Sequence, residues 1–393
     1  MFKQTIRNGA IIFLIIFCMA WLSDACNRMD KNTSGDHFNN LIQRYIKDTI
    51  YLSAGNPFSA EKAKLGRYLF YDRRMSVNQA KSCSSCHDPK FSFTDGYRRS
   101  IGAMGDNVQR NAPALINIVF NKYLTAADST LHFPEQQINN PMFHNQPVEL
   151  GWQGNENVIM ERLRKDSLYS HQLPLLFTGS KDPFTIKNIQ ECISSFVKTI
   201  LSFNTPYDKY TYHKDSTALT ASEKNGMNLF FSDRLHCSSC HGGINFSTPA
   251  LKNKNGEIDY YQNTGLYNID GKGAYPENDA GLFACSKQAA DMGKYKIPTL
   301  RNLAFTAPYF HDGTAVDLPA VLDVYERGGR NIAAGAHQGD GRKNPHKNPL
   351  IAGFVIDAQQ RMDLINFLLS LSDTSFLHNS SYNNPFTHDE TRP

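Results

Sequence analysis

The sequence predicts a mainly α-helical protein of two domains related by internal duplication, with long irregular loops. Three observations predict it. A length of 393 residues suits two cores rather than one. Apolar residues recur at helical spacing in several places, while few stretches alternate as strands do. One segment also occurs twice, and a repeat of this kind implies two copies of one structural unit.

The repeat is explicit. Leu65-Gly66-Arg67-Tyr68-Leu69-Phe70-Tyr71-Asp72-Arg73 leads into Cys83-Ser84-Ser85-Cys86-His87. Asn225-Gly226-Met227-Asn228-Leu229-Phe230-Phe231-Ser232-Asp233-Arg234 leads into Cys237-Ser238-Ser239-Cys240-His241. Phe91-Ser92-Phe93-Thr94 and Asn245-Phe246-Ser247-Thr248 come next in each copy. Later, Asn111-Ala112-Pro113-Ala114-Leu115-Ile116-Asn117 is echoed by Lys296-Ile297-Pro298-Thr299-Leu300-Arg301-Asn302.

Between the copies, Ile186, Ile189, Ile193, Phe196, Val197, Ile200 and Leu201 form a helical stripe, with Pro183 suited to its start. Asn204-Thr205-Pro206 ends it and places a domain boundary near residue 205. Ala358 to Leu371 reads as a second amphipathic helix. Gly328 to Pro349, rich in Gly, Asn and His, is expected to be the least structured internal stretch, with His337 and His346 as solvated loop residues.

Composition is ordinary for a globular protein, with 40% apolar and 20% charged residues. A net charge of +4 gives no reason to expect nucleic acid as a partner. At the N-terminus, Lys3 and Arg7 precede an apolar run from Ala10 to Leu22 and then Ser23-Asp24-Ala25-Cys26, which describes an export signal over 1–25. The run is short for a membrane span, which needs roughly 20 apolar residues. Cys26 is a candidate for lipidation, giving membrane attachment, and 26–40 reads as a polar tether.

Eight Cys in an exported chain first suggest disulfides. Cys18 belongs to the signal, however, Cys26 is the candidate for lipid, and four others lie in the two Cys-Ser-Ser-Cys-His runs. Cys192 and Cys285 remain; a disulfide between them is one reading, isolated buried thiols the blander one. Each five-residue run can give two thiols to haem vinyl groups and an adjacent imidazole to iron. Zinc would need paired clusters completing a tetrahedron, and a thioredoxin-like pair would need a βαβ setting. Two such runs, in a repeat behind an export signal, predict two covalent haem c groups and two cytochrome c-like domains. His87 and His241 are then the proximal iron ligands.

Added to Leu-Gly-Arg-x-Leu-Phe-x-Asp, Phe93-Thr94-Asp95-Gly96, Arg110-Asn111-Ala112-Pro113, Pro298-Thr299-Leu300-Arg301-Asn302 and Thr306-Ala307-Pro308-Tyr309-Phe310-His311-Asp312-Gly313, these runs make the sequence resemble the bacterial di-haem cytochrome c peroxidases, including their MauG-type branch. The resemblance runs from about Ala60 to Ser372. It implies a periplasmic enzyme that reduces hydrogen peroxide to water with electrons from a small cytochrome c or cupredoxin, and possible pairing as a homodimer. It divides the chain into a peroxidatic haem domain over 41–205, an electron-transfer haem domain over 206–375 and a polar tail over 376–393.

The resemblance also implies roles for particular residues. The family's distal acid matches Glu149, with Gln137 in the same pocket. A His that caps the N-terminal iron in many members is Ala103 here, so that iron is expected to be open; Met104 beside it reads as packing. The sixth ligand of the C-terminal iron falls on Tyr325, where the MauG-type branch also has Tyr; composition alone would nominate Met292 or Met362. A Ca²⁺ ion would be held by Asn111 and the carbonyls of Thr306 and Pro308. The family's inter-haem Trp is missing, since Phe-Trp-Asp-Gly-Arg becomes Thr125-Ala126-Ala127-Asp128-Ser129. Trp152 lies near Glu149 in sequence but is not placed between the haems. Two alternatives stay open beside the peroxidase: a MauG-type oxidase acting on a protein or small molecule, and a non-catalytic electron carrier.

Overall fold

The computed structural model describes residues 50–253 and 255–386. The expected export signal, the tether and Cys26 lie outside the described residues. So do 387–393 of the expected tail. The described residues fall in one compact unit, Asp48–Pro393. The fold is helix-rich with little sheet: only two antiparallel two-stranded ladders occur among the described residues, β1 (Tyr261–Gln262) with β2 (Tyr295–Lys296), and β3 (Asn331–Ile332) with β4 (Gly339–Asp340). No described helix is long and apolar enough to cross a membrane.

Helix α1 (Ala60–Tyr71) starts at Ser59, whose hydroxyl accepts from the Lys62 amide. It packs on α2 (Ile186–Lys198), capped by Thr185. The two backbones meet at Gly66, where a Cβ would lie 1.8 Å from the Cys192 carbonyl oxygen. The second half repeats this contact. Helix α3 (Ala221–Phe230), with a Thr220–Glu223 capping box, packs on α5 (Ala358–Leu369), with an Asp357–Gln360 box. Here Gly226 takes the same part, with 1.9 Å from its missing Cβ to the Asp363 carbonyl oxygen. Only glycine permits such an approach. Between α3 and α5 in sequence lies α4 (Leu318–Glu326), capped by Asp317.

Each helix pair carries its own apolar cluster. The first includes Leu65, Leu69, Phe70, Phe93, Trp152, Ile189, Ile193 and Phe196. The second includes Tyr207, Phe230, Phe246, Leu322, Leu364 and Phe367. Helix α2 is buried on nearly every side, so its polar residues find partners: Glu191 pairs with Lys62 at 2.7 Å, and Lys198 with Glu135 at 2.7 Å.

Two expectations are corrected. The stretch expected to be a polar tail sends Phe376, Tyr382 and Phe386 into the first cluster. Arg67 donates to the Asn383 and Ser380 carbonyls at 2.8 and 2.9 Å, and Tyr71 donates to the Tyr382 carbonyl. Gly328–Pro349 is not loosely structured either. It forms the β3–β4 hairpin, and Gly341 presses against the Gly265 carbonyl with no room for a side chain. Buried Asn344 donates to the carbonyls of Tyr267 and Gly273. Gly328, Gly329, Gly339 and Gly341 mark close packing rather than freedom, while Gly335 meets nothing within 4 Å. His337 is exposed, as expected, and His346 is half-buried.

Candidate functional site

Both five-residue runs sit on short helical turns, Cys83–Ser85 and Cys237–Cys240. The Phe-containing stretch after each run fixes its histidine. His87 Nδ1 bonds to the Phe93 carbonyl at 2.8 Å, and His241 Nδ1 to the Phe246 carbonyl at 3.1 Å. With Nδ1 engaged, Nε2 is the nitrogen left to bind a metal. Phe93 and Phe246 both hold positive φ, at 61° and 50°. Such a backbone is uncommon for an aromatic residue and costs about 1–3 kcal/mol. Burial offsets it: Phe93 packs edge-on against Phe70, Phe376 and Tyr382, and Phe246 against Tyr207 and Phe230. Asn117 and Asn302 repeat the pattern with left-handed backbones at matching points of the two halves.

The donor chemistry fits haem c. Burial lowers both imidazoles, His241 to about 4, so each is neutral and able to ligate iron. Burial also pushes Cys83 and Cys237 up to about 12 and Cys240 to about 11, and raises Cys86. Zinc sites and reactive redox pairs need lowered thiols, so both alternatives fit less well. Among the described residues, no group of three or more His, Cys, Asp and Glu could hold a metal ion. Arg99 Nε, buried and without a hydrogen-bond partner, is in keeping with a further polar group here; Arg99 adjoins a serine whose hydroxyl bonds to Cys86.

Glu149 lies at the first run, close enough to Cys83 and Cys86 for its charge to raise both thiols. Burial raises Glu149 itself above the usual carboxylate range, with His144 opposing. Its loop is gripped from behind. The Ala103 amide donates to the Val148 and Glu149 carbonyls at 3.1 and 2.9 Å, and Gly102 leaves no space for a Cβ against Val148. Ala103 is buried, but Met104 is 62% exposed, so it neither packs nor reaches the centre. Gln137 is half-buried and accepts from Asn140 at 3.4 Å; no bond joins it to Glu149 among the described residues.

Tyr325 lies on α4 and is brought to the second run. Burial raises its hydroxyl well above the ordinary phenol value, and Cys240 and Cys237 add to the rise. Arg361 holds the helix through Glu326 and Asp323. Of the methionines that composition suggested, Met362 is 53% exposed and Met292 packs in a separate aromatic cluster with Tyr267 and Tyr275. Asn111 meets the 306–311 loop through its backbone, donating to the His311 carbonyl at 2.8 Å, while its side chain donates to the Tyr97 carbonyl. Trp152 is a core residue, fully buried and bonded to the Met75 carbonyl at 2.6 Å. Cys192 is buried and unpaired as expected; Cys285 is also unpaired but exposed, 3.5 Å from an Asp128 oxygen, so the expected burial fails there.

Sequence reasoning misses one residue at this site. Lys296 enters it only as part of the repeat, yet its ammonium bears on His241 and it has no carboxylate partner among the described residues. The Lys-Ile-Pro-Thr-Leu-Arg-Asn run is the available signal.

Comparison with known proteins shows the family. Residues 60–217 match the family model described as di-haem cytochrome c peroxidase. The chain is 32% identical over 332 residues to the cytochrome-c peroxidase IdrP1 of Pseudomonas sp. (strain SCT), covering 81% of this chain and 82% of that one. It is 28% identical over 319 residues to the methylamine utilization protein MauG of Methylorubrum extorquens, covering 80% and 79%. Among solved structures, a MauG-like protein associated with microbial copper homeostasis superposes with a TM-score of 0.81 at 39% identity, covering 86% of this chain and 96% of that one. With two matched Cys-x-x-Cys-His centres and this extent of similarity, the chain belongs to the di-haem cytochrome c peroxidase family of oxidoreductases.

Proposed function

We propose that this chain is an exported di-haem peroxidase that reduces hydrogen peroxide to water at the N-terminal centre. Electrons would enter from a small cytochrome c or cupredoxin through the C-terminal centre. The observation that carries the reading is the placement of Glu149, a carboxyl with a raised affinity for its proton beside Cys83 and Cys86. Haem c, held by Cys83, Cys86 and His87 and by Cys237, Cys240 and His241, supplies a redox-active iron that can bind peroxide.

The chain's own groups manage the protons. The Glu149 carboxylate takes a proton from one peroxide oxygen and returns it to the other, so the O–O bond breaks with water as the leaving group. Two electrons and two further protons complete the reduction to two waters. Ala103 offers no ligand and leaves the peroxide side clear, and Gln137 borders the same pocket. Tyr325 closes the second centre. A phenolate there favours ferric iron.

Paired features support 41–205 and 206–375 as copies of one haem-binding unit: Gly66 with Gly226, Phe93 with Phe246, and Asn117 with Asn302. Ca²⁺ at Asn111, Thr306 and Pro308 is part of the proposal, since all three offer hard oxygen donors. The test is steady-state peroxide consumption with reduced cytochrome c, alongside the ferric spectrum. Turnover that rises with donor concentration, with one high-spin haem perturbed by peroxide, is expected. Two low-spin ferric haems indifferent to peroxide would leave only an electron carrier.

Tyr325 beside Cys240 also favours a second reading, a MauG-type oxidase that modifies a protein or small molecule. Peroxide-dependent modification of a trapped target, without need of reduced cytochrome c, would select it.

A further inference from the structure

Lys296 ends strand β2, and its amide donates to the Ala126 carbonyl at 2.8 Å. Two residues further on, the Pro298 carbonyl bonds to His241, so the strand runs directly into the second centre. The ammonium's one hydrogen bond among the described residues is to its neighbour's carbonyl, Ile297, at 3.3 Å.

No ion pair with Lys296 occurs among the described residues, although the neighbouring Lys294 has two carboxylates, Asp259 and Asp291. Burial alone acts on the ammonium and lowers it to about 8. Lys296 is half-buried, and a cation drawn partly out of water without a counter-charge is costly. The group that the second run holds brings carboxylates of its own.

We propose that the Lys296 ammonium pairs with a propionate carboxylate of the haem held by Cys237, Cys240 and His241, and thereby sets that centre's reduction potential. The assignment rests on haem occupying this site. Lys296 is a positioning residue: a fixed positive charge offsets the propionate, which would otherwise stabilise ferric iron. With the charge removed, the tyrosine-ligated centre becomes harder to reduce.

Potentiometric titration of the full holoprotein tests this with wild type, Lys296→Gln and Lys296→Arg. Lys296→Gln should shift the reduction equilibrium of that centre toward ferric by about tenfold, or ~59 mV for one electron. Lys296→Arg should restore it to within about twofold of wild type, or ~18 mV on the same scale. An unmoved potential in Lys296→Gln with both haems attached overturns the pairing. Should that variant yield no holoprotein, the resonance Raman propionate bands of wild type and Lys296→Arg decide: a shift in one haem's band is expected, and identical bands overturn the pairing. A wild-type pyridine haemochrome count of one haem overturns the underlying reading as well, and is measured first.

Discussion

Replacing Gly226 by Ala tests the helix contact under the second centre. The added Cβ would sit 1.9 Å from the Asp363 carbonyl oxygen and 2.8 Å from the Phe367 Cβ. A comfortable carbon–oxygen contact is about 3.3 Å or more, so α3 and α5 must separate by about 1.4 Å. Both obstacles are on a helix, and the nearer one is backbone that cannot rotate away. Overpacking usually costs about 1–3 kcal/mol, and a backbone clash belongs at the upper end. At about 2–4 °C per kcal/mol for a domain of 150–250 residues, Tm should fall by about 6 °C or more. Gly66→Ala should behave alike at the first centre, where the Cys192 carbonyl is 1.8 Å away. Gly179→Ala, with nothing within 4 Å of its Cβ, is the control and should leave Tm almost unchanged. Thermal unfolding measured by far-UV circular dichroism and the Soret band reads both losses. A Gly226→Ala Tm within about 1 °C of wild type, against the shift expected from overpacking, would show that the helices are not held this close.

Four other outcomes are expected. Glu149→Gln should keep both haems and lower peroxide turnover by about 10²–10⁴-fold, read by stopped-flow with reduced cytochrome c; near-normal turnover rejects the acid-base role. Tyr325→Phe should alter the spectrum of one haem and raise its potential, since an anionic ligand to ferric iron is lost; an unchanged spectrum removes Tyr325 from the iron. Burial alone would raise buried Asp312, but Arg330 at 2.8 Å and His311 outweigh it and hold the carboxyl down at about 2. Its stabilising effect, about 2 kcal/mol, is therefore complete above the unfolded value near 4 and disappears as pH falls through about 2. Asp312→Asn should accordingly be less stable than wild type at neutral pH, with the gap closing in acid denaturation; a gap independent of pH counts against the ion pair. Removing Ca²⁺ with EGTA should lower Tm and change the haem spectra of wild type but not of Asn111→Ala, by calorimetry and absorbance; no response in wild type rejects the calcium site.

The two Cys-x-x-Cys-His runs and the main helices were legible because their signals are local. Cys-x-x-Cys-His is a five-residue pattern, and the stripes from Ile186 and from Ala358 recur every turn; the observed helices end only a few residues early, at Lys198 and Leu369. The Gly66 and Gly226 positions were visible as a repeat, but their purpose is a contact with a helix more than a hundred residues away. Gly328–Pro349 misled for a related reason: glycine signals freedom locally and close packing when another backbone lies against it, as Gly265 does here. Lys296 was silent because burial of a lysine depends on chain segments far apart in sequence, and Cys285 because a surface turn and a buried one share the same composition.

The return of the 376–386 segment to the first helix pair has a bearing on how the protein matures. Tyr382 donates to the Thr199 carbonyl at 3.0 Å and accepts from the Leu201 amide at 3.2 Å, while Phe386 lies edge-on to Tyr68 at 5.3 Å. The earliest half to emerge during synthesis therefore lacks part of its interior until residues 376–386 have been made. A chain cut off after its second helix pair would expose the aromatic faces that this segment covers.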